Sequence, residues 1–319
     1  MVDLSRRDRV GLGLIGLGPS WEERYLGTLR RLQSRLTIRL VYDPVEARAK
    51  SVASEFSADV AGSLRQMLDR PKLQGLLVLD PGWLGAGALS LIAGSGKPVF
   101  LASPVLRQAS ALQSLLQPCP ATEIEAKQPN NADDLWMPEL GLRFTPSTCR
   151  LRELIATKLG SVKRVLIECD LSAEKAETAH LVDWCHHLMG QSPTLISSKS
   201  NGQSLVSHGI EFEFPSALTP SKPRTAKLQQ HPQGHTVATF SIECEKGHAT
   251  LTDRTRILWK TSTESADESL VDERSETEIL IDQFCRRALG GLNPVGRLGD
   301  FLKAIKVVES VSDFGNSAQ

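Results

Sequence analysis

The chain has 319 residues, and its 37 Lys and Arg residues are balanced by 37 Asp and Glu residues. This length exceeds what a single hydrophobic core usually supports, so we expect two domains. The zero net charge argues against nucleic acid as a partner, because neutralising a phosphate backbone requires an excess of basic residues. No run of 18 apolar residues occurs, which argues against a membrane-spanning helix.

The cysteines and histidines predict neither a disulfide framework nor a metal site. Cys185, His186 and His187 are adjacent, and adjacent residues of a helix point in different directions. Scattered cysteines without a C-x-x-C pair are typical of reduced thiols in a cytoplasmic protein. The six are Cys119, Cys149, Cys169, Cys185, Cys244 and Cys285.

The N-terminal part of the chain alternates apolar strands with helical patterns. Strands are predicted at residues 10–15, 36–42, 58–61, 76–79 and 98–101. Helices are predicted between them at residues 21–34, 45–56, 63–68 and 84–93. The strongest strands are continuous apolar runs, which are typical of a parallel sheet covered on both faces. We therefore predict an α/β, Rossmann-type N-terminal domain over residues 1–120.

The remainder of the chain, residues 121–319, differs from the N-terminal part in composition and in its pattern of apolar residues. Residues 117–146 are rich in Pro, Asn and Asp, which suits a crossing between domains. Several later segments alternate in polarity and predict an α+β domain with an open antiparallel sheet. Its strands are expected at residues 162–171, 194–199, 204–214, 235–244, 248–252 and 256–261. An acidic loop at 262–275 and helices at 276–289 and 299–314 complete the prediction.

A Gly-x-Gly turn between the first strand and the first helix indicates dinucleotide binding. Such a turn lets backbone N–H groups approach a diphosphate at a helix N-terminus. Trp21 replaces the third glycine of the usual pattern, which predicts a shifted helix or a reshaped turn. The candidate cofactor contacts in this turn are Gly16, Leu17, Gly18, Pro19, Ser20 and Trp21.

Asp43 follows the second predicted strand, where an acidic side chain accepts hydrogen bonds from an adenosine ribose. Its negative charge would repel a 2′-phosphate, so the sequence favours NAD over NADP as cofactor. Arg48 lies close enough in sequence to soften that preference. The alternative is a doubly wound domain that keeps the tight turn for packing alone.

The order of these motifs resembles the glucose-fructose oxidoreductase, inositol dehydrogenase and rhizopine-catabolism (Gfo/Idh/MocA) family. The segments that carry the resemblance are residues 14–18, 41–44, 96–99, 180–190 and 300–315. The resemblance implies hydride transfer between a nicotinamide and a sugar or polyol. It also implies a second subunit on the open sheet, as in a dimer.

The resemblance also implies where proton transfer takes place. Family members usually carry a lysine after the strand that matches residues 98–101, and an Asp four residues before a His. Here Ser103 and Ala176 stand at the Lys and Asp positions, and only His180 remains. We expect Ser103, without a nearby base, to be a poor substitute for the lysine.

His180 and Asp183 are therefore the candidate catalytic residues. They lie three residues apart, on one face of a helix, so Asp183 would orient the imidazole or a substrate hydroxyl. Where a Thr-Pro is common in the family, this chain has Asp80 and Pro81, and Trp83 would wall the nicotinamide pocket or plug it. These three residues and Ser103 complete the candidate cofactor site.

Two functions remain open at the level of the sequence. In one, the protein is an NAD(P)-dependent sugar or polyol oxidoreductase whose acid/base chemistry has moved to His180 or to a group that the sequence does not identify. In the other, it is a noncatalytic relative that retains the scaffold, with or without nucleotide binding, for binding or assembly. The expected partners are a small sugar or polyol and a second copy of the chain.

Overall fold

The structure is a computed structural model, and contacts divide the chain into two compact units. The first comprises Met1–Glu139 with Ser275–Leu302, and the second comprises Leu140–Arg274 with Lys303–Gln319. The predicted domain boundary at residue 120 lies outside the described residues, as do Pro81 and Trp83. The described residues are 9–80, 82, 85–116, 135–171, 174–190, 193, 195–198, 209–215, 223–230, 238–271, 273–291 and 296–316.

Six parallel strands form the sheet of the first unit, in the order β3-β2-β1-β4-β5-β6. Every residue of β1, β4, β5 and β6 is buried, as continuous apolar runs predict. The predicted α/β, parallel architecture of this domain is therefore confirmed. The strands are β1 (Val10–Ile15), β2 (Leu36–Tyr42), β3 (Asp59–Val60), β4 (Gly75–Val78), β5 (Val99–Leu101) and β6 (Trp136–Pro138).

The helix after β1 differs from the regular helix predicted over residues 21–34. It opens with a π-helical turn, Trp21–Leu26, before helix α1. Trp21 is buried against Phe56, with ring centroids 6.2 Å apart, so a large side chain fills the position of the usual glycine. The other helices up to residue 116 follow in chain order. These helices are α1 (Gly27–Arg31), α2 (Glu46–Phe56), α3 (Leu64–Leu68), α4 (Ala86–Gly94), α5 (Ser103–Leu106) and α6 (Ala109–Leu116).

An eight-stranded sheet forms the second unit, in the order β14-β13-β12-β11-β7-β10-β9-β8. The prediction of an antiparallel sheet needs one correction, because β7 and β10 pair in parallel and the sheet is mixed. The strands are β7 (Val162–Cys169), β8 (Leu195–Ser198), β9 (Ile210–Phe214), β10 (Arg224–Gln230), β11 (Thr239–Cys244), β12 (Gly247–Leu251), β13 (Arg256–Thr261) and β14 (Ser265–Ser269).

Helical segments precede and follow the sheet of the second unit. A 3-10 helix, Gly141–Phe144, leads into α7 (Pro146–Leu154) and a π-helical turn, Ile155–Leu159. Helix α8 (Lys175–Met189) follows β7. The chain continues with α9 (Glu276–Ala288) and α10 (Leu298–Asn316), close to the two predicted final helices. No helix in the described part of the chain is long and apolar enough to cross a membrane.

Three strands were absent from the sequence prediction. Strand β6 lies in the segment predicted as a domain crossing, and β14 lies in the predicted acidic loop. Strand β10 is mostly polar, and only Ala226 and Leu228 are buried. Each strand has few apolar residues or is very short, so the apolar pattern gave little signal. The predicted strand residues 204–208 and 235–237 lie outside the described ranges.

Candidate functional site

The glycine turn follows β1 as the sequence predicts. Gly16 has a φ of +75°, a backbone conformation that L side chains rarely adopt, and its N–H donates to the carbonyl of Tyr42 at 2.9 Å. The N–H of Trp21 closes the turn by donating to the carbonyl of Gly18 at 3.0 Å. The turn therefore lies at the carboxyl ends of β1 and β2, where open α/β sheets bind their ligands.

Asp43 holds this turn in place. One of its carboxylate oxygens accepts the Leu17 N–H and the other accepts the Val45 N–H, both at 2.8 Å. Asp43 is 8% exposed, and Arg48 donates to the Leu17 carbonyl at 3.2 Å. Asp43 and Arg48 therefore meet at the glycine turn, and Asp43 fixes the backbone of the turn through its two hydrogen bonds.

Asp80 lies directly over the turn, after β4. A methyl group built on Gly18 would overlap the Asp80 carboxylate and would lie 2.7 Å from Asp80 Cβ. The Asp80 Oδ1 atom accepts the N–H of Gly82 at 2.8 Å, which fixes the side chain in this position. The remaining cavity measures about 30 Å³, room for a water molecule or two. Its lining residues are Gly18, Pro19, Ser20, Trp21, Tyr25, Leu79, Asp80 and Pro104.

Ser103 begins α5 and is bound to a carboxylate that the sequence analysis missed. Its backbone N–H donates to Glu139 Oε2 at 2.8 Å, and its hydroxyl lies 3.1 Å from the same oxygen. The expectation that Ser103 lacks a nearby base is therefore wrong. The Glu139 carboxylate is fully buried and ties Ser103 to the end of β6.

Glu139 is the centre of a larger buried cluster in the first unit. The Tyr25 hydroxyl donates to Oε2 at 2.8 Å, while the Thr277 hydroxyl and the Arg24 guanidinium each lie 3.0 Å from Oε1. Burial, followed by the Glu139 carboxylate, raises the pKa of the Tyr25 hydroxyl well above its usual value. Tyr25 therefore remains a protonated donor at neutral pH, and its ring lines the cavity beside the glycine turn.

The second unit contains the two predicted catalytic residues on α8. His180 is half-buried, whereas Asp183 is 1% exposed. Both Asp183 oxygens bind the Arg143 guanidinium, at 2.9 and 2.5 Å, in a bidentate pair. Arg143 is itself only 8% exposed and lies in the 3-10 helix before α7. The pair fixes the orientation of α8 within this unit, so Asp183 acts on the helix that presents His180.

Metal chemistry has no evident location in the described residues. Within them, no group of three or more His, Cys, Asp and Glu side chains is arranged to hold a metal ion. Burial raises the thiol pKa of the four buried cysteines in the described part of the chain, so these thiols stay protonated at neutral pH. They are Cys169, Cys185, Cys244 and Cys285.

Residues 10–123 match the model of the GFO_IDH_MocA oxidoreductase family, described as having an NAD-binding Rossmann fold. This range begins at β1 and includes the glycine turn, Asp43, Asp80 and Ser103. No curated protein matches the chain in sequence.

Solved structures extend the similarity in fold to nearly the whole chain. A dehydrogenase from Chromobacterium violaceum is 16% identical with a TM-score of 0.78, covering 97% of this chain and 96% of its own. An aldose-aldose oxidoreductase from Caulobacter crescentus, solved with glycerol, is 14% identical with a TM-score of 0.75, covering 98% of both chains. A levoglucosan dehydrogenase solved with NADH and levoglucosan is 13% identical with a TM-score of 0.69, covering 98% of both. Residues 10–123 are therefore similar to the NAD-binding Rossmann domain of the GFO_IDH_MocA oxidoreductase family, and the solved structures extend the likeness in fold to nearly the whole chain.

Proposed function

We propose that the protein is a nicotinamide-dependent oxidoreductase that acts on a sugar or polyol. The observation that carries the proposal is the glycine turn after β1, fixed by Asp43, in a domain of an NAD-binding oxidoreductase family. The family that matches consists of oxidoreductases, and this gives no support to the noncatalytic alternative.

The backbone of the first unit fits a dinucleotide, with one obstacle. Gly16 and Gly18 carry no side chains that would prevent the close approach of a diphosphate, but the Asp80 carboxylate occupies the space over Gly18. The chain would hold the diphosphate at Gly16 to Gly18 and the adenosine ribose near Asp43. The carboxylate of Asp43 favours NAD over NADP, because it would repel a 2′-phosphate. When bound, the nicotinamide supplies the group that accepts or donates hydride.

Proton transfer to or from the substrate oxygen falls to His180. An imidazole changes its protonation state near neutral pH, and His180 is partly open to solvent on α8. Asp183 and Arg143 contribute by fixing the helix, since their bidentate pair is buried. Ser103 does not take part in proton transfer in this proposal, because its hydroxyl and its N–H both bind Glu139.

We extend the proposal to a homodimer formed through the open face of the eight-stranded sheet. Strand β13 supports this, because its side chains alternate between buried and exposed and Leu258 is 36% exposed on the open face. Sedimentation velocity is expected to give a species of twice the chain mass, and a monomer at micromolar concentration would contradict the assembly.

The catalytic proposal is tested by reduction of the coenzyme with a panel of aldoses and polyols. We expect absorbance at 340 nm to rise with NAD⁺ and at least one member of the panel, and to rise more slowly with NADP⁺. The reverse reaction, oxidation of NADH by the matching ketoses and lactones, covers an enzyme that works as a reductase. If neither direction turns over with either coenzyme, the proposal of an active oxidoreductase is wrong.

A further inference from the structure

The space over Gly18 is occupied by an acidic side chain of the protein itself. A methyl group on Gly18 would overlap the Asp80 carboxylate, and one on Gly16 would lie 2.8 Å from the Asp80 carbonyl oxygen. The glycines are therefore needed in this structure because Asp80 lies against them. In a dinucleotide-binding turn, the same absence of side chains makes room for a diphosphate.

The charges around the glycine turn also oppose the binding of a diphosphate. Glu22 and Glu23 lie in the first turn of the helix that follows, where they are exposed. The guanidinium of the next residue, Arg24, is turned away to Glu139 at 3.0 Å. A diphosphate approaching Gly18 therefore meets the Asp80 carboxylate directly, and the helix that follows the turn adds the carboxylates of Glu22 and Glu23. Two like charges in contact at a protein surface repel each other appreciably, and the repulsion weakens with salt.

We propose that Asp80 is an internal anion that occupies the diphosphate position of the Gly16 to Gly18 turn, so that a coenzyme must displace it to bind. Asp80 then sets the affinity for the coenzyme, and it does so by competition. This inference rests on the proposed function, because it assumes that the turn binds a dinucleotide. It predicts an effect of unusual sign, since removing a polar residue from a binding site normally weakens binding.

The displacement requires only a side-chain rotation. Among the described residues, the Asp80 Oδ1 atom accepts one hydrogen bond, from the N–H of Gly82 at 2.8 Å. Rotation about the Asp80 side chain breaks this hydrogen bond and moves the carboxylate off Gly18, while the turn remains fixed by Asp43 through the Leu17 N–H. The backbone that receives the diphosphate is therefore already in place.

The test is calorimetric titration of the full-length protein with NADH and, separately, with ADP-ribose, which carries the diphosphate without the nicotinamide. We compare the wild type with Asp80→Asn and Asp80→Ala. Asparagine keeps the volume and the acceptor for Gly82 and removes the charge, whereas alanine also removes the volume. Asp59→Asn is the matched control, because Asp59 is an exposed acid on β3 away from the cavity. Melting temperatures confirm that each variant is folded.

We expect Asp80→Asn to bind both ligands about tenfold more tightly than the wild type or more, which corresponds to about 1.4 kcal/mol. Asp80→Ala should bind at least as tightly as Asp80→Asn, and Asp59→Asn should match the wild type. Binding by the Asp80 variants alone would support both the inference and the proposed function. Equal or weaker binding by both Asp80 variants, with a wild type that binds, would overturn the inference and leave the proposed function intact. If no protein binds either ligand, both are wrong.

Discussion

Replacing Glu139 by alanine is expected to lower the free energy of unfolding by about 3–5 kcal/mol, because several buried donors lose their shared acceptor at about 1–3 kcal/mol each. The Glu139 carboxylate is fully buried and accepts hydrogen bonds from Tyr25, Ser103 and Thr277, in addition to its ion pair with Arg24. Alanine leaves these donors facing a cavity. An unsatisfied buried donor loses its hydration without compensation, so the penalties accumulate.

Two further variants separate the charge of Glu139 from its hydrogen bonds. Glu139→Gln keeps the volume and one acceptor oxygen, so it should be destabilised less than Glu139→Ala. Thr277→Val removes one donor to Glu139 and one acceptor of the Arg24 guanidinium, and it should cost about 1–2 kcal/mol, less than Glu139→Ala. The measurement is urea unfolding followed by far-ultraviolet circular dichroism. An unfolding curve of Glu139→Ala that coincides with that of the wild type would show that the cluster does not stabilise the protein.

Replacing His180 by alanine is expected to lower kcat by roughly 10²- to 10⁴-fold, the usual contribution of a positioned acid or base. No lysine is available at position 103 to share the task, because Ser103 stands there and is bound to Glu139. The loss should therefore fall on the chemical step. Coenzyme affinity should stay unchanged, because the residues proposed to bind the coenzyme lie in the first unit and His180 lies in the second.

The pH profile distinguishes a proton-transfer role from a structural one. In the wild type, kcat should change near neutral pH as the imidazole titrates, and His180→Ala should lose this change. His248→Ala is the control, because His248 is an exposed histidine of β12 in the same unit. If His180→Ala keeps both the rate and the pH profile of the wild type, proton transfer belongs to another group.

The sequence was sufficient for the parts of the fold that depend on long apolar runs. Strands β1, β2, β4 and β5 are continuously or mostly buried, and all four were predicted close to their observed bounds. Strand β10 was not predicted, because Arg, Lys and Gln make up most of it. Its parallel pairing with β7 depends on contacts between residues that are far apart in the sequence. A local pattern carries no information about which strand a polar segment will pair with.

The residues of the candidate site likewise include some that the sequence could locate and others that only the structure shows. The glycine turn and Asp43 have a fixed order along the chain, so the sequence located them together. Glu139 belongs to no motif, and its partner Tyr25 lies 114 residues away in the sequence. The only local sign of a special role for Glu139 is a single acid directly after the buried strand β6. The position of Asp80 over Gly18 depends on the packing of β4 beside β1, which no spacing reports.

The most direct test of the account is hydrogen exchange measured by mass spectrometry with and without saturating NADH. We predict slower exchange on binding in peptides that contain the glycine turn, Gly16 to Trp21, and in peptides that begin at Asp43. These segments carry the N–H groups proposed to face the diphosphate and the residues that fix the turn. Unchanged exchange in both segments at millimolar NADH would contradict the claim that this turn binds a dinucleotide.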